Sequence, residues 1–196
     1  MKNKPINQFK QALEQYHLTY KRYFNSKLYE IDSGGCGEFA YLLKQPLETL
    51  INHFELGDKV KVSYVFLEVD SKDIKAIKQT NKKCIKKFNK ACEVDSDLYI
   101  LNDILGEFEF NHVMIKLKIG SEYWFLDSNS LYKSYDSLIL NEGDISFVSS
   151  DFYLLDRMVD TDIWNDVFEF YQDRGEAIER IGKPLQIMAN NLIKKL

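Results

Sequence analysis

One thiol stands apart from the rest of the chain. Cys36 follows Gly34-Gly35 and opens Cys36-Gly37-Glu38-Phe39-Ala40, where apolar residues begin to recur at helical spacing. A cysteine at a helix N-terminus meets unpaired backbone N–H groups and the positive end of the helix dipole, which favour a thiolate. The same N–H groups can receive the oxyanion that forms when a thiolate attacks a carbonyl. A thiolate also needs a base, and Asn111-His112-Val113 supplies an imidazole, followed by a carboxylate in Phe125-Leu126-Asp127. Cys36 as nucleophile, His112 as base and Asp127 as the group that orients the ring would form a complete acyl-transfer set.

Asn129 is a second candidate for orienting His112, and Gly35 and Gly37 would let a substrate approach the Cys36 backbone N–H closely. Glu38 opposes the scheme, because a carboxylate in the same helical turn disfavours a thiolate. The cost stays small if Glu38 points to solvent and caps the N–H of Gly35. His17, beside Tyr16 in an amphipathic helix, and His53, on a polar helix side, are less well placed than His112. Cys84 and Cys92 read as small buried hydrophobes.

Strand geometry tests the His112–Asp127 pairing. Glu107 to Ile119 and Glu122 to Asp127 form an expected hairpin that turns near Gly120-Ser121. With a loop of Ile119-Gly120 or of Lys118 to Ser121, His112 faces Asp127. With a two-residue Gly120-Ser121 loop, His112 faces Asn129 and Asp127 is its diagonal neighbour. Either register groups Val113, Ile115, Leu117, Trp124 and Leu126 on the opposite face.

The elements that must carry these residues follow from periodicity. Ile6, Phe9, Leu13, Tyr16, Tyr20 and Phe24 predict one amphipathic helix. Cys36, Phe39, Ala40 and Leu43 predict a short second helix that Pro46 stops, with Leu47, Leu50, Ile51 and Phe54 in another that runs to Gly57. Lys59 to Val69 and Ile145 to Leu155 read as strands, and Leu98 to Leu101 is a short apolar run. Asp162 caps an expected helix ending near Gly175, and Pro184 begins a last one. Helices, then an antiparallel sheet, then helices make an α+β pattern.

Bulk composition narrows the function classes. A chain of 196 residues with 45% hydrophobic content predicts a single domain over 1–196. A net charge of −4 argues against general nucleic-acid binding. Three cysteines without CxxC spacing offer no common zinc site and fit a reducing, cytoplasmic setting. The first residues lack an apolar signal core, and no stretch is long and apolar enough for a membrane span. Eight lysines between Ser71 and Cys92 surround a narrow apolar stripe. They form a solvated helix face or, at 71–90, a docking patch for an acidic partner.

Three patches together resemble the papain-like and transglutaminase-like superfamily of thiol enzymes. They are Gly34-Gly35-Cys36-Gly37-Glu38-Phe39-Ala40, Asn111-His112-Val113-Met114-Ile115 and Tyr123-Trp124-Phe125-Leu126-Asp127-Ser128. His-Val followed by alternating apolar residues looks like the NlpC/P60 branch, and the strand-ending Asp127 is closer to transglutaminases and arylamine N-acetyltransferases. The resemblance implies a papain-like α+β fold with the nucleophile helix packed on an antiparallel sheet. Papain has a glutamine before its cysteine as an oxyanion donor; this chain has Glu30, Asp32 and Ser33 there, which leaves the second donor unassigned. The expected activity is cleavage or rearrangement of a protein, peptide or small amide through a Cys36 thioester, as a peptidase, amidase or deamidase. Transfer to an amine, as in a transglutaminase or N-acyltransferase, uses the same intermediate. A non-catalytic binding protein on the same scaffold is the alternative from a different class. No metal or organic cofactor is implied.

Overall fold

The computed structural model describes residues 4–25, 36–69, 112–142, 145–149 and 174–196, with Gln79, Lys82, Lys83, Cys84, Lys86, Lys87 and Lys90. The N-terminal apolar repeat forms helix α1 (Lys4–Phe24), which buries Phe9, Leu13, Tyr16, His17, Tyr20 and Phe24 along one stripe. Helix α2 (Cys36–His53) starts at the thiol. The stop expected at Pro46 does not occur, and the two helices predicted on either side of it are one. Proline cannot return an N–H to the Leu42 carbonyl, a loss normally costly in a helix interior. Here Phe39, Ala40, Leu43, Leu47, Leu50 and Ile51 are buried on both sides of Pro46, and this continuous apolar stripe offsets the lost bond.

The predicted valine- and aromatic-rich strand is β1 (Val60–Val69), and it pairs antiparallel with β2 (His112–Ile119). β2 in turn pairs with β3 (Glu122–Leu126), and β3 with the short β4 (Leu131–Tyr132). β5 (Ile145–Ser149) lies on the other side of β1, giving a five-stranded sheet of order β4-β3-β2-β1-β5. Of the strand expected over 145–155, only Ile145–Ser149 lies within the described residues. A helix that periodicity missed, α3 (Tyr135–Glu142), follows β4. The Ser134 hydroxyl starts it by accepting the Ser137 N–H at 3.0 Å.

The C-terminal segment is helical without a break: α4 (Arg174–Ala177), a π-turn (Ile178–Gly182) and α5 (Lys183–Ile193). Pro184 sits in the first turn of α5, as its missing N–H favours. In the wider turn before it, the Lys183 N–H donates to the Ile178 carbonyl.

The sheet is apolar on both faces. Val113, Ile115, Leu117, Trp124 and Leu126 share a core with α1, α2 and α5. On the reverse face Met114 and Phe125 pack with Val65, Leu67 and Leu138. The architecture is α+β, with an antiparallel sheet and helices layered against it. The apolar run at 98–101, the start of the hairpin at 107–111, most of the lysine-rich segment and most of the helix predicted after Asp162 lie outside the described residues. Among those described, Lys82, Lys83, Lys86 and Lys90 are exposed and Cys84 is buried. No helix among the described residues is long and apolar enough to cross a membrane.

Candidate active site

Three element ends meet at one place. Cys36 is the first residue of α2, His112 the first of β2, and Asp127 the first after β3. β2 and β3 are antiparallel neighbours, so the start of one lies beside the end of the other. Pairing Ile119 with Glu122 fixes the two-residue Gly120-Ser121 loop, the register in which Asp127 stands diagonal to His112. The diagonal is closed by the side chains, and His112 Nε2 lies 2.8 Å from Asp127 Oδ2.

Cys36 is near enough to the ring to act on its charge. With Nε2 held by Asp127, Nδ1 is the nitrogen left for sulfur. Burial disfavours a charged His112, but the hydrogen bond and charge of Asp127, with the neighbouring Cys36, outweigh it, holding the ring up at about 10 against an ordinary 6.5. An imidazolium is therefore the resting form at neutral pH, set between a carboxylate and a sulfur. Cys36 is 9% exposed, so its sulfur lies at the edge of the core.

Asp127 is immobilised from every side. Its Oδ1 accepts the backbone N–H groups of Asn129 at 2.8 Å and Ser130 at 2.5 Å, and its own N–H donates to the Ser130 carbonyl at 3.1 Å. This is a side-chain turn of the kind aspartate favours, and it aims Oδ2 at the imidazole. Asn129, the other candidate orienter, is exposed and supplies its backbone N–H to Asp127.

Two residues of α1 belong to this surrounding and were not singled out by the sequence. The Tyr20 hydroxyl donates to the Asp127 carbonyl at 2.7 Å, and burial holds its phenol well above the usual range, so the donor proton stays in place. His17, passed over as a helix residue, is 7% exposed and stands edge-on to the Tyr20 ring with centroids 5.1 Å apart. Its pKa is lowered, chiefly by burial and further by Lys21, against the raising effects of the Asn129 backbone and Asp127. The available signal was their spacing: His17 and Tyr20 fall on the same buried stripe as Leu13 and Phe24.

Glu38 requires a correction. It is 6% exposed and does not point to solvent, and its Oε2 has no hydrogen-bond partner among the described residues. Burial, with the nearby charge of Glu176, pushes its carboxyl up to about 8, so at neutral pH it is mostly uncharged. The objection that it would disfavour a thiolate is removed by neutralisation rather than by exposure. Gly37 is buried in the first turn of α2; Gly35 lies outside the described residues, as does Cys92. Among the described residues no group of three or more His, Cys, Asp and Glu side chains is arranged to hold a metal ion. No family model, curated protein or solved structure matches the chain.

Proposed function

We propose that the protein is a cysteine-dependent acyl-transfer enzyme that acts on an amide bond, on the papain-like plan its motifs resemble. The observation that carries this reading is the His112 ring, bonded to Asp127 at 2.8 Å and acted on by Cys36 at the start of α2. The Cys36 thiolate attacks the amide carbonyl carbon, and the negative charge that develops on oxygen faces the N-terminal N–H groups of α2. As the C–N bond breaks, imidazolium His112 delivers its Nδ1 proton to the leaving nitrogen, which departs as an amine. The thioester left on Cys36 is opened by water, whose proton passes to the now neutral ring, or by an amine in a transfer reaction. Asp127 stays ionised throughout and steadies the cation. The substrate is a protein, peptide or small amide, and the reaction is that of a peptidase, amidase or deamidase.

The test uses p-nitrophenyl acetate, read by mass spectrometry. The expected result is acetylation of Cys36 in preference to Cys84 and Cys92, followed by turnover, with both lost in His112→Ala. Slow, equal modification of all three cysteines would overturn the enzyme and favour a non-catalytic binding protein.

A further inference from the structure

We infer that Tyr20 of α1, braced by His17, is a positioning residue of the Cys36 site: it clamps the turn that carries Asp127 and joins it to the helix that carries Cys36. The inference rests on the acyl-transfer reading for its meaning but on separate geometry for its support.

Tyr20 touches both halves of the site. Its ring meets Phe39, one turn beyond Cys36 in α2, edge-on with centroids 5.6 Å apart. Its hydroxyl reaches the Asp127 carbonyl at 2.7 Å, and the whole side chain is 0% exposed. The distance from nucleophile helix to acid is thus set by one rigid, fully buried ring. Phe24 supports the same contact, with its ring 5.7 Å from Phe39.

His17 is buried beside Tyr20 on the same stripe of α1. Its ring stands edge-on to Tyr20 at 5.1 Å, so the two side chains brace each other. The turn is therefore held on both sides: the backbone N–H groups of Asn129 and Ser130 bind the carboxylate, and the carbonyl of Asp127 is held by Tyr20 of α1. A buried carbonyl left without its donor destabilises its local geometry. The loss would fall on the turn that aims Oδ2 at His112, and a hydrogen bond weakens steeply with misalignment.

The experiment follows His112 itself, by the pH titration of its ring proton resonances. Tyr20→Phe removes one oxygen and keeps the ring that packs on Phe39. It is expected to lower the His112 midpoint by about one pH unit, a tenfold change in proton affinity. His17→Leu, which removes the ring that braces Tyr20, should act in the same direction and less strongly. Folded variants with an unchanged His112 midpoint would overturn the clamp. If the variants do not fold, amide exchange in the wild-type protein decides: slow exchange at Asn129 and Ser130 supports it, and exchange as fast as in open loops overturns it. Failure of the acyl-transfer reading is distinguishable, since it would show as absent Cys36 acetylation in the wild type while the His112 titration still reports on the clamp.

Discussion

Glu38, buried in the first turn of α2, lies within electrostatic reach of Glu176 in α4, which is paired at 3.0 Å with Arg180. Burial is the larger reason that Glu38 gives up its charge, and Glu176 adds to it. A carboxyl raised from 4.5 to about 8 binds more protons in the folded than in the unfolded chain between those values. Stability therefore falls as pH rises across that window, by an amount on the order of a few kcal/mol. Glu38→Gln keeps the shape and removes the charge, so it should flatten this part of the profile and exceed the wild type above pH 8. Urea midpoints measured from pH 5 to 9 check this; parallel profiles for the two proteins would contradict it.

The His112–Asp127 pair contributes with the same sign but in a higher window. A histidine held at about 10 against 6.5 adds stability that is fully present below 6.5 and is lost as pH rises through 10. Asp127→Asn removes the larger of the two partners' effects and should bring the ring back toward its ordinary value. Acyl transfer at neutral pH should then fall by roughly 10²-fold or more, the scale of lost acid–base catalysis. Proton resonances of the ring and turnover of p-nitrophenyl acetate report these separately. A His112 titration that is indifferent to Asp127→Asn would remove the basis of the pairing.

Much of this arrangement was legible because it is periodic. Alternation along 112–119 and 122–126 separated Val113, Ile115 and Leu117 from Met114 and reduced the hairpin to a few registers, of which the structure adopts the Gly120-Ser121 form. Glycines before an apolar helical stripe placed Cys36 at a helix start. What was not legible depends on packing between distant elements. Pro46 marks a break by local rules, yet the core on both sides keeps α2 continuous. Glu38 is polar and near a helix start, and its burial is a product of the tertiary fold. Neither the Tyr20 hydroxyl nor His17 carries a sequence signal for the Asp127 turn, whose position relative to α1 is set by the tertiary fold.

Phe39 is where core stability and site geometry are most directly coupled. It is 1% exposed and contacts both Tyr20 and Phe24 edge-on. Phe39→Ala should cost about 3–5 kcal/mol through lost burial and the cavity left behind. Phe39→Leu, which fills most of the space, should cost less and retain acylation of Cys36. Chemical denaturation of the two variants provides the comparison, and a loss below about 1 kcal/mol for alanine would show that the aromatic cluster is not a tight core.

The hairpin loop gives a prediction that separates stability from chemistry. Gly120 has φ +62, in the left-handed region, and a Cβ added there would meet nothing within 4 Å. Any cost of Gly120→Ala is therefore backbone strain, roughly 1–2 kcal/mol, without steric clash. Asparagine tolerates this conformation better, so Gly120→Asn should lose less than Gly120→Ala. The loop lies at the end of β2 opposite His112, so neither substitution should alter Cys36 acetylation in the folded protein. Thermal unfolding with acetylation rates measured on the same samples checks both halves. If Gly120→Ala changed reactivity in proportion to stability, the pairing of Ile119 with Glu122 would be shown to hold the site only marginally in register.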